Sequence, residues 1–206
     1  MISARVIGRS LNTQMSSGSP SPRFAVGDPV AVGRADDFDD DQCMIMAGEV
    51  AKLPVMIDFG GNNPPLSIKE LFFDHLRPGD IYTHAFAQLA SRESIVDPST
   101  NTVKPFVLEA QKRGIIFDVG YGGISFSYSQ AIPASKSKFY PNTISTDIHI
   151  GSMNGSMKDM LSVMSKFHQM GMDIPSLIKA STWAPAVAIK REELGHLSAG
   201  AEADVT

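Results

Sequence analysis

The sequence predicts an α/β fold with a parallel sheet, and three observations lead to this prediction. Four short apolar runs each finish on a polar residue, and these residues are Asp58, His84, Asp118 and Asp147. They recur at intervals of roughly 30 residues, which is the length of one strand and one helix in an eight-unit barrel of about 250 residues. Helix signals lie between the runs. Strands joined in this way are parallel, so their carboxyl ends meet at one edge of the sheet.

About five strands are expected, near residues 2–7, 55–59, 81–84, 115–119 and 144–147. Each run is rich in β-branched or aromatic residues, which favour strands. Helices are expected between them, because Ser67 and Glu70 form a capping box and Gly114 suits the end of a helix over 103–113. A further helix is expected over 127–138. Five strands are too few to close an eight-stranded barrel.

Residues 12–41 differ from the rest of the chain and are interpreted as a mobile insertion or linker. Residues 16–22 are a Ser, Gly and Pro tract, and residues 36–41 contain five aspartates in six positions. Such composition buries too little apolar surface to offset the entropy lost on ordering. The acidic run also suits the start of a helix expected over 41–52, since carboxylates favour the positive end of a helix dipole. A calcium loop is disfavoured, because the alternating ligands and the glycine turn are absent.

Composition indicates an ordinary soluble globular protein. The chain is 43% hydrophobic and 19% charged, with a formal net charge of −4. It has no stripe of lysine and arginine, so nucleic acid is not expected as a partner. It has no run of about 18 apolar residues to span a membrane. Cys43 is the only cysteine, which excludes an internal disulfide. We therefore expect a cytoplasmic location without membrane association.

The strongest candidates for chemistry are His84 and Asp147, which follow two of the expected strands. His84 can offer a neutral imidazole nitrogen to a divalent metal, and a core histidine bonded to backbone is an equal alternative. Asp147 is a carboxylate in an uncharged stretch, where burial would require a specific partner. In a hydrolase it would accept a proton from water and deliver it to the leaving group. A helix cap or an ion-paired carboxylate is the alternative for Asp147.

The segment that follows Asp118 offers weaker candidates for ligand binding. Asp118 precedes a Gly-Tyr-Gly-Gly turn and is interpreted as structural. Tyr121 stands where such a turn would point a side chain toward a ligand, and Gly122 allows a close approach of backbone. A plain tight turn is the favoured alternative for the glycines. His149 would either line the same pocket or face solvent, and with Tyr121 and Gly122 it completes the candidate substrate-binding set.

Six segments of the chain together resemble a known family. They are LPVMIDFGG, RPGDIYTHAF, KRGIIFDVGYGG, PNTISTDIHIGSMNG, MSKFHQMGM and ELGHLSAGAEADV. In order and over most of residues 47–205, they resemble the amidohydrolase/deacetylase metallohydrolases, relatives of dihydroorotase within the amidohydrolase superfamily. The resemblance implies a partial TIM-type (βα)8 barrel in a single domain over residues 1–206. It also implies one or two divalent metals, commonly zinc, and cleavage of amide, cyclic amide or acetyl ester bonds of small molecules by metal-activated water.

By position, the resemblance assigns roles to individual residues. His84 matches a metal-binding histidine after the sixth barrel strand. Asp147 matches the aspartate of the eighth strand, which contacts the metal and acts as general acid and base. Asp58 occupies the fifth-strand position, where many relatives have a histidine ligand, and a carboxylate can also bind zinc. Tyr121 replaces a histidine that contacts substrate in the family.

Two features of the family are missing from the chain. It has no His-x-His pair after a first strand. The family also has a bridging lysine after its fourth strand. If residues 2–7 form that strand, Ser3 lies near the position of this lysine. The chain is therefore interpreted as a family member truncated at both ends, a fragment with impaired activity.

Two other functions stay open at this point. A partial barrel leaves sheet edges that can pair with another chain, so a non-catalytic remnant would act through self-association as a homo-oligomer or through partner pairing. Alternatively, the N–H groups of the Gly120 to Gly123 turn would hold a phosphate in a half-barrel. Zinc-dependent hydrolysis of a small-molecule amide or acetyl ester is the leading expectation.

Overall fold

The computed structural model describes residues 31–35, 38–59, 65 and 67–201, without the side chains of 31–35, 38–43 and 59. The strands in these residues are β1 Ala31–Ala35, β2 Val55–Phe59, β3 Ile81–Tyr82, β4 Val96–Asp97, β5 Thr102–Val103 and β6 Ile116–Phe117. The helices are α1 Phe38–Ala51, α2 Ile68–Glu70, α3 Pro105–Arg113, α4 Tyr128–Lys136, α5 Met160–Gln169, α6 Ile174–Ser181 and α7 Trp183–Ala188. A π-helical turn, Leu71–His75, continues α2.

Four of the strands form one parallel sheet in the order β1, β2, β3, β6. One further parallel bridge joins Asp118 to Thr143 and extends the sheet beyond β6. The short strands β4 and β5 form a separate antiparallel pair. The predicted parallel α/β arrangement is therefore confirmed. The strands that the structure describes form an open sheet and do not close a barrel among themselves.

The strands at the carboxyl edge of the sheet are shorter than the sequence predicts, because the backbone leaves the extended region early. His84, Gly120 and Asp147 have φ angles of 52°, 46° and 46°. A residue in this left-handed region cannot continue a strand ladder. β3 and β6 consequently stop before these positions. No strand forms over 144–147, and the isolated bridge nearest to this segment is at Thr143.

Part of the segment that the sequence analysis interprets as a mobile insertion or linker, residues 12–41, lies in a strand and a helix. β1 pairs in parallel with β2, and α1 already begins at Phe38. The sequence of β1 contains a glycine, an arginine and two alanines, which give little strand propensity. The strand beside β2 is therefore β1. Residues 2–7, the expected neighbour, and residues 12–30 lie outside the described residues.

Two boundaries of the described helices follow signals in the sequence. The N–H of Glu70 donates to Ser67 Oγ, as the capping box predicts. α3 ends at Gly114, which has a φ angle of 107° and donates its N–H to the carbonyl of Ala110. None of the helices in the described part of the chain combines the length and the apolar character needed to cross a membrane.

An aromatic core fixes β3 and β6, the strands whose ends carry the candidate site. Phe72, from the π-helical turn, packs edge-on against Tyr82 and Phe117, with ring centroids 4.9 and 5.3 Å apart. Phe117 also packs edge-on against Phe139 at 5.2 Å. All four rings are almost completely buried. Each such pair adds about 0.5–1.5 kcal/mol beyond burial, so the strand ends stand on a rigid base.

The N-terminal cap of α5 predicts a dependence of stability on pH. Asp159 Oδ1 accepts the N–H of Ser162 at 2.7 Å, and this bond holds the pKa of Asp159 below its ordinary value. Its stabilisation is complete above about pH 4 and is lost as the pH falls through the lowered pKa. We expect Asp159→Ala to be less stable than the wild type at neutral pH and to approach it in acid, as measured by urea unfolding.

Ser67→Ala is the matched control for this prediction, because Ser67 caps α2 through an uncharged hydroxyl. Its effect on the free energy of unfolding should not change with pH. A difference between the wild type and Asp159→Ala that stays constant from neutral to acid pH would contradict the prediction.

Candidate active site

Asp58 and His84 meet at the carboxyl ends of the adjacent strands β2 and β3. Asp58 Oδ2 lies 3.8 Å from His84 Nε2. The side chain of His84 is 14% exposed and that of Asp58 is 41% exposed. The separation is too long for a hydrogen bond. It would allow both atoms to bind one metal ion, since zinc lies about 2.0–2.2 Å from nitrogen and carboxylate ligands.

His84 is held in one orientation by the backbone that follows β6. Its Nδ1 lies 2.5 Å from the carbonyl oxygen of Gly120. A carbonyl can only accept, so we infer that Nδ1 carries the hydrogen and donates it. In the neutral ring the lone pair is then on Nε2, which is the atom nearest to Asp58. This arrangement is typical of metal-binding histidines, whose second nitrogen donates to a backbone carbonyl or a carboxylate.

The glycine turn after β6 contacts both His84 and Asp147. A Cβ atom on Gly120 would lie 2.6 Å from His84 Nδ1, and one on Gly122 would lie 2.7 Å from Asp147 Oδ2. A Cβ atom at either distance would displace the facing side chain, and both glycines have positive φ angles. The turn therefore favours glycine at these two positions. It joins the two sides of the candidate site.

Asp147 and His149 lie in one tight turn. His149 Nδ1 is 2.9 Å from the carbonyl oxygen of Asp147 and 2.9 Å from Ser152 Oγ. The carboxylate oxygen Oδ2 of Asp147 lies 4.0 Å from the same nitrogen. The Asp147 side chain is 23% exposed and the His149 side chain 37% exposed, so a small molecule can reach both. Ser152 is only 1% exposed, which indicates that its hydroxyl braces the turn.

Tyr121 packs into the core, whereas the sequence predicted that its side chain points toward a ligand. It is 3% exposed and stacks on Phe126 with ring centroids 4.3 Å apart. Its hydroxyl lies 3.4 Å from Ser156 Oγ, and Lys166 Nζ lies 4.9 Å from the ring centroid. A buried phenol ring gains more from these contacts than from pointing into water. We therefore correct the expected orientation of this side chain.

Asp118 links three neighbouring segments of the sheet, as its structural interpretation implies. Its carboxylate accepts hydrogen bonds from Thr83 Oγ1 at 2.8 Å, Thr143 Oγ1 at 2.7 Å and Ser145 Oγ at 2.7 Å. The residue is 3% exposed. A buried carboxylate is tolerated when hydrogen bonds satisfy its oxygens. Asp118 therefore holds the ends of β3 and β6 against the segment that leads to Asp147.

Arg92 is the site residue that sequence analysis missed. It donates from Nη1 to Asp58 Oδ1 at 3.1 Å, from Nη2 to the carbonyl of Thr83 at 2.7 Å, and from Nε to Tyr82 Oη at 3.2 Å. It is 7% exposed, which is unusual for an arginine. It lies in a segment without helix or strand, so no periodicity marks it. The only signal in the sequence is a lone cation between two apolar runs.

The donors that the structure describes fit a divalent metal in kind but not in number. His84 and the two carboxylates are among the donor types that zinc accepts. However, the described residues include no group of three or more His, Cys, Asp or Glu side chains placed to hold a metal ion. Catalytic zinc sites commonly take three protein ligands. A complete site would therefore need donors beyond the pair formed by Asp58 and His84.

Curated relatives of the chain are deacetylases, although no protein-family model matches it. A deacetylase of Enterococcus faecalis is 32% identical over 159 residues, and one of Brucella anthropi is 34% identical over 158 residues. A deacetylase of Agrobacterium fabrum is 32% identical over 158 residues. Each alignment covers 77% of this chain and 42%, 38% and 37% of the respective relative. The chain thus spans less than half the length of these relatives.

Two solved structures are similar to this chain in fold. A crystal structure of an adenine deaminase matches with a TM-score of 0.75 and 27% identity, covering 84% of this chain and 48% of that one. A crystal structure of a dihydroorotase matches with a TM-score of 0.66 and 29% identity, covering 78% and 44%. Both neighbours are members of the amidohydrolase superfamily.

The chain has an α/β fold and is similar in sequence and fold to members of the amidohydrolase superfamily over part of their length. The resemblance predicted from the sequence is confirmed, because relatives and structural neighbours come from that superfamily. The three curated relatives are all named deacetylases. A hydrolase with a small-molecule substrate fits all of these neighbours.

Proposed function

We propose that this chain carries part of the active site of a metal-dependent hydrolase that cleaves amide, cyclic amide or acetyl ester bonds in small molecules. The observation that carries the proposal is the approach of Asp58 to His84 at 3.8 Å, beside a glycine turn that contacts both His84 and Asp147. The names of the relatives support the same reaction class. The activity of the whole protein is part of the proposal, since the chain spans under half of those relatives.

We assign His84 and Asp58 as residues of this chain that would hold a divalent metal, with zinc as the candidate, and we keep Asp147 as a third expected ligand, although the described residues form no group of three placed to hold a metal. When bound, such a metal activates water near neutral pH and polarises the carbonyl that is attacked. His84 would offer Nε2, because Nδ1 is engaged by the carbonyl of Gly120. The two carboxylates would offset the charge of the metal.

Asp147 is our candidate for the group that transfers protons. A carboxylate can accept a proton from the attacking water and pass it to the leaving nitrogen or oxygen. The partial exposure of Asp147 admits a substrate, and its contact with Gly122 restricts the movement of the carboxylate. His149 and Gly122 stay our candidates for substrate contact. We assign no substrate contact to the side chain of Tyr121, because its ring is buried.

Removal of the metal tests this proposal. We expect purified protein to contain a divalent metal and to hydrolyse at least one member of a panel of N-acetyl amides, cyclic amides and acetyl esters. Chelation should abolish turnover, and zinc should restore it. His84→Gln should lower the metal content, while Asp74→Asn, a change at an exposed residue of the π-helical turn, should not. Protein that binds no divalent metal and hydrolyses nothing above the buffer rate would refute the proposal.

Self-association is a second candidate function, and one observation favours it. β1 is an edge strand of the sheet, because it pairs only with β2 among the described residues. An open strand edge can accept a strand from another chain. Size-exclusion chromatography over a range of concentrations separates this function from the first, because a monomer at every concentration would argue against edge pairing.

A further inference from the structure

We propose that Arg92 is a positioning residue that sets the separation of Asp58 and His84. The inference rests on the proposed function, because it concerns two residues assigned there to a metal. It extends that function to a side chain outside the assigned ligands. Arg92 acts through its neighbours and does not itself touch a substrate or a metal.

One guanidinium makes three hydrogen bonds to three different parts of the site. Nη1 donates to Asp58 Oδ1, Nη2 to the carbonyl of Thr83, and Nε to the hydroxyl of Tyr82. The guanidinium is planar, and its donors have a fixed relative geometry. The three acceptors are therefore held in a fixed arrangement as long as Arg92 stays in place.

The first consequence concerns the carboxylate of Asp58. Oδ1 is engaged by Arg92 at 3.1 Å, and Oδ2 is the oxygen that faces His84 Nε2. The Asp58 side chain is 41% exposed, so without the arginine it would be free to rotate into water. Carboxylates that bind metals are themselves hydrogen-bonded by outer partners that orient them. Arg92 meets the description of such a partner.

The second consequence concerns the backbone of His84. Thr83 supplies the carbonyl of the peptide bond that leads into His84, and Arg92 Nη2 holds this carbonyl at 2.7 Å. His84 has a φ angle of 52°, a conformation that a non-glycine residue keeps only when its surroundings enforce it. The same guanidinium thus fixes both the carboxylate and the peptide that aims the imidazole ring.

Arg92 itself is anchored in the core and cannot easily leave this position. Its guanidinium carbon lies 4.8 Å from the centroid of the Tyr82 ring, and Tyr82 is 1% exposed. Burial raises the pKa of Tyr82, so its hydroxyl stays protonated and neutral through the physiological range. A buried cation that gave up its acceptors would be left unpaired at high cost.

Arg92 also carries a positive charge, which opposes a cation at Asp58. This electrostatic effect and the positioning effect have opposite signs. If charge dominated, a neutral residue at position 92 would strengthen metal binding. If positioning dominates, as we propose, the loss of the guanidinium fork weakens binding whether or not the replacement is charged.

The experiment measures zinc and cobalt(II) affinity by competition titration, together with the cobalt absorption spectrum. Arg92→Gln and Arg92→Lys should each weaken binding about 10- to 100-fold, as expected for the loss of an outer-shell partner, and should change the cobalt spectrum. Arg77→Gln is the matched control, because Arg77 pairs with the buried Asp80 at the other end of β3. It should lower stability without changing affinity or spectrum.

Each outcome decides the proposal. Unchanged or stronger binding by Arg92→Gln overturns it, and so does wild-type affinity in Arg92→Lys. If Arg92→Gln does not fold, Arg92→Lys and Tyr82→Phe decide instead, the second removing only the acceptor of Nε and weakening binding several-fold. Wild-type protein that binds neither metal overturns both this inference and the metal-dependent part of the proposed function. Wild-type binding with unchanged Arg92 variants overturns this inference alone.

Discussion

The Asp147→Asn variant is expected to lose about 10²- to 10⁴-fold in kcat/KM for hydrolysis, because an amide cannot accept and return a proton as a carboxylate does. Asparagine has nearly the same shape as aspartate, so the contact with Gly122 and the turn to His149 should persist. The loss should appear in kcat more than in KM, since the transfer of the proton is made in the transition state. Steady-state kinetics on the best substrate of the panel measures it.

Metal content must be measured in the same preparation of Asp147→Asn. A variant that keeps its metal and loses turnover locates the defect in proton transfer, whereas a variant that loses its metal locates it in ligation. Asp74→Asn is the control for a change of one surface carboxylate to an amide. Turnover by Asp147→Asn equal to that of the wild type, with metal bound, would exclude Asp147 as the proton-transfer group.

Asp118→Ala is expected to lower the free energy of unfolding by about 3 kcal/mol, since hydrogen bonds to a charged group contribute roughly 1.5–3 kcal/mol each and three are lost. The same substitution leaves the hydroxyls of Thr83, Thr143 and Ser145 buried or half-buried without their acceptor. Part of the loss is recovered, because a charge no longer has to be kept out of water. Urea unfolding followed by circular dichroism measures the change.

The matched control for Asp118→Ala is Thr143→Val, which removes one of the three hydroxyls and keeps the shape of the side chain. It should cost about 1.5 kcal/mol, the lower end of the range for one hydrogen bond to a charged group, because Asp118 keeps its two other donors. A double-mutant cycle between the two positions should show a clear coupling energy, because the residues share one bond. If the free energy of unfolding of Asp118→Ala were equal to or higher than that of Thr143→Val, the carboxylate would not be what holds the three segments together.

The parallel arrangement of β2, β3 and β6 follows from local patterns, so it could be predicted from the sequence. Each of these apolar runs ends at the polar residue that the structure places at the carboxyl edge of the sheet. The glycine turn that contacts His84 and Asp147 is a short motif in the sequence, Gly-Tyr-Gly-Gly at residues 120–123. These are features of a few consecutive residues. The approach of Asp58 to His84 then follows from the pairing of adjacent strands.

Other features depend on contacts between distant residues and could not be predicted in this way. β1 has weak strand propensity and forms because β2 offers it an edge. Arg92 reaches the site from an irregular segment, and its role is visible only when Asp58 and Thr83 are seen beside it. Tyr121 is buried because Phe126 provides a stacking partner. Zinc, the cytoplasmic location and a homo-oligomer stay predictions.

The order of strands in the sheet has a consequence for how the chain acquires its chemistry. Asp58 and His84 are far apart in sequence and meet only after the parallel pairing of β2 with β3 across the helical segment between them. Such non-local pairing is slow to form, because the entropy of closing the long loops is lost before the contacts reward it. Helices depend on local contacts, so they can form early, before the strands pair. The pair that we propose as metal ligands is therefore completed late in folding, and its formation reports that β2 and β3 have paired.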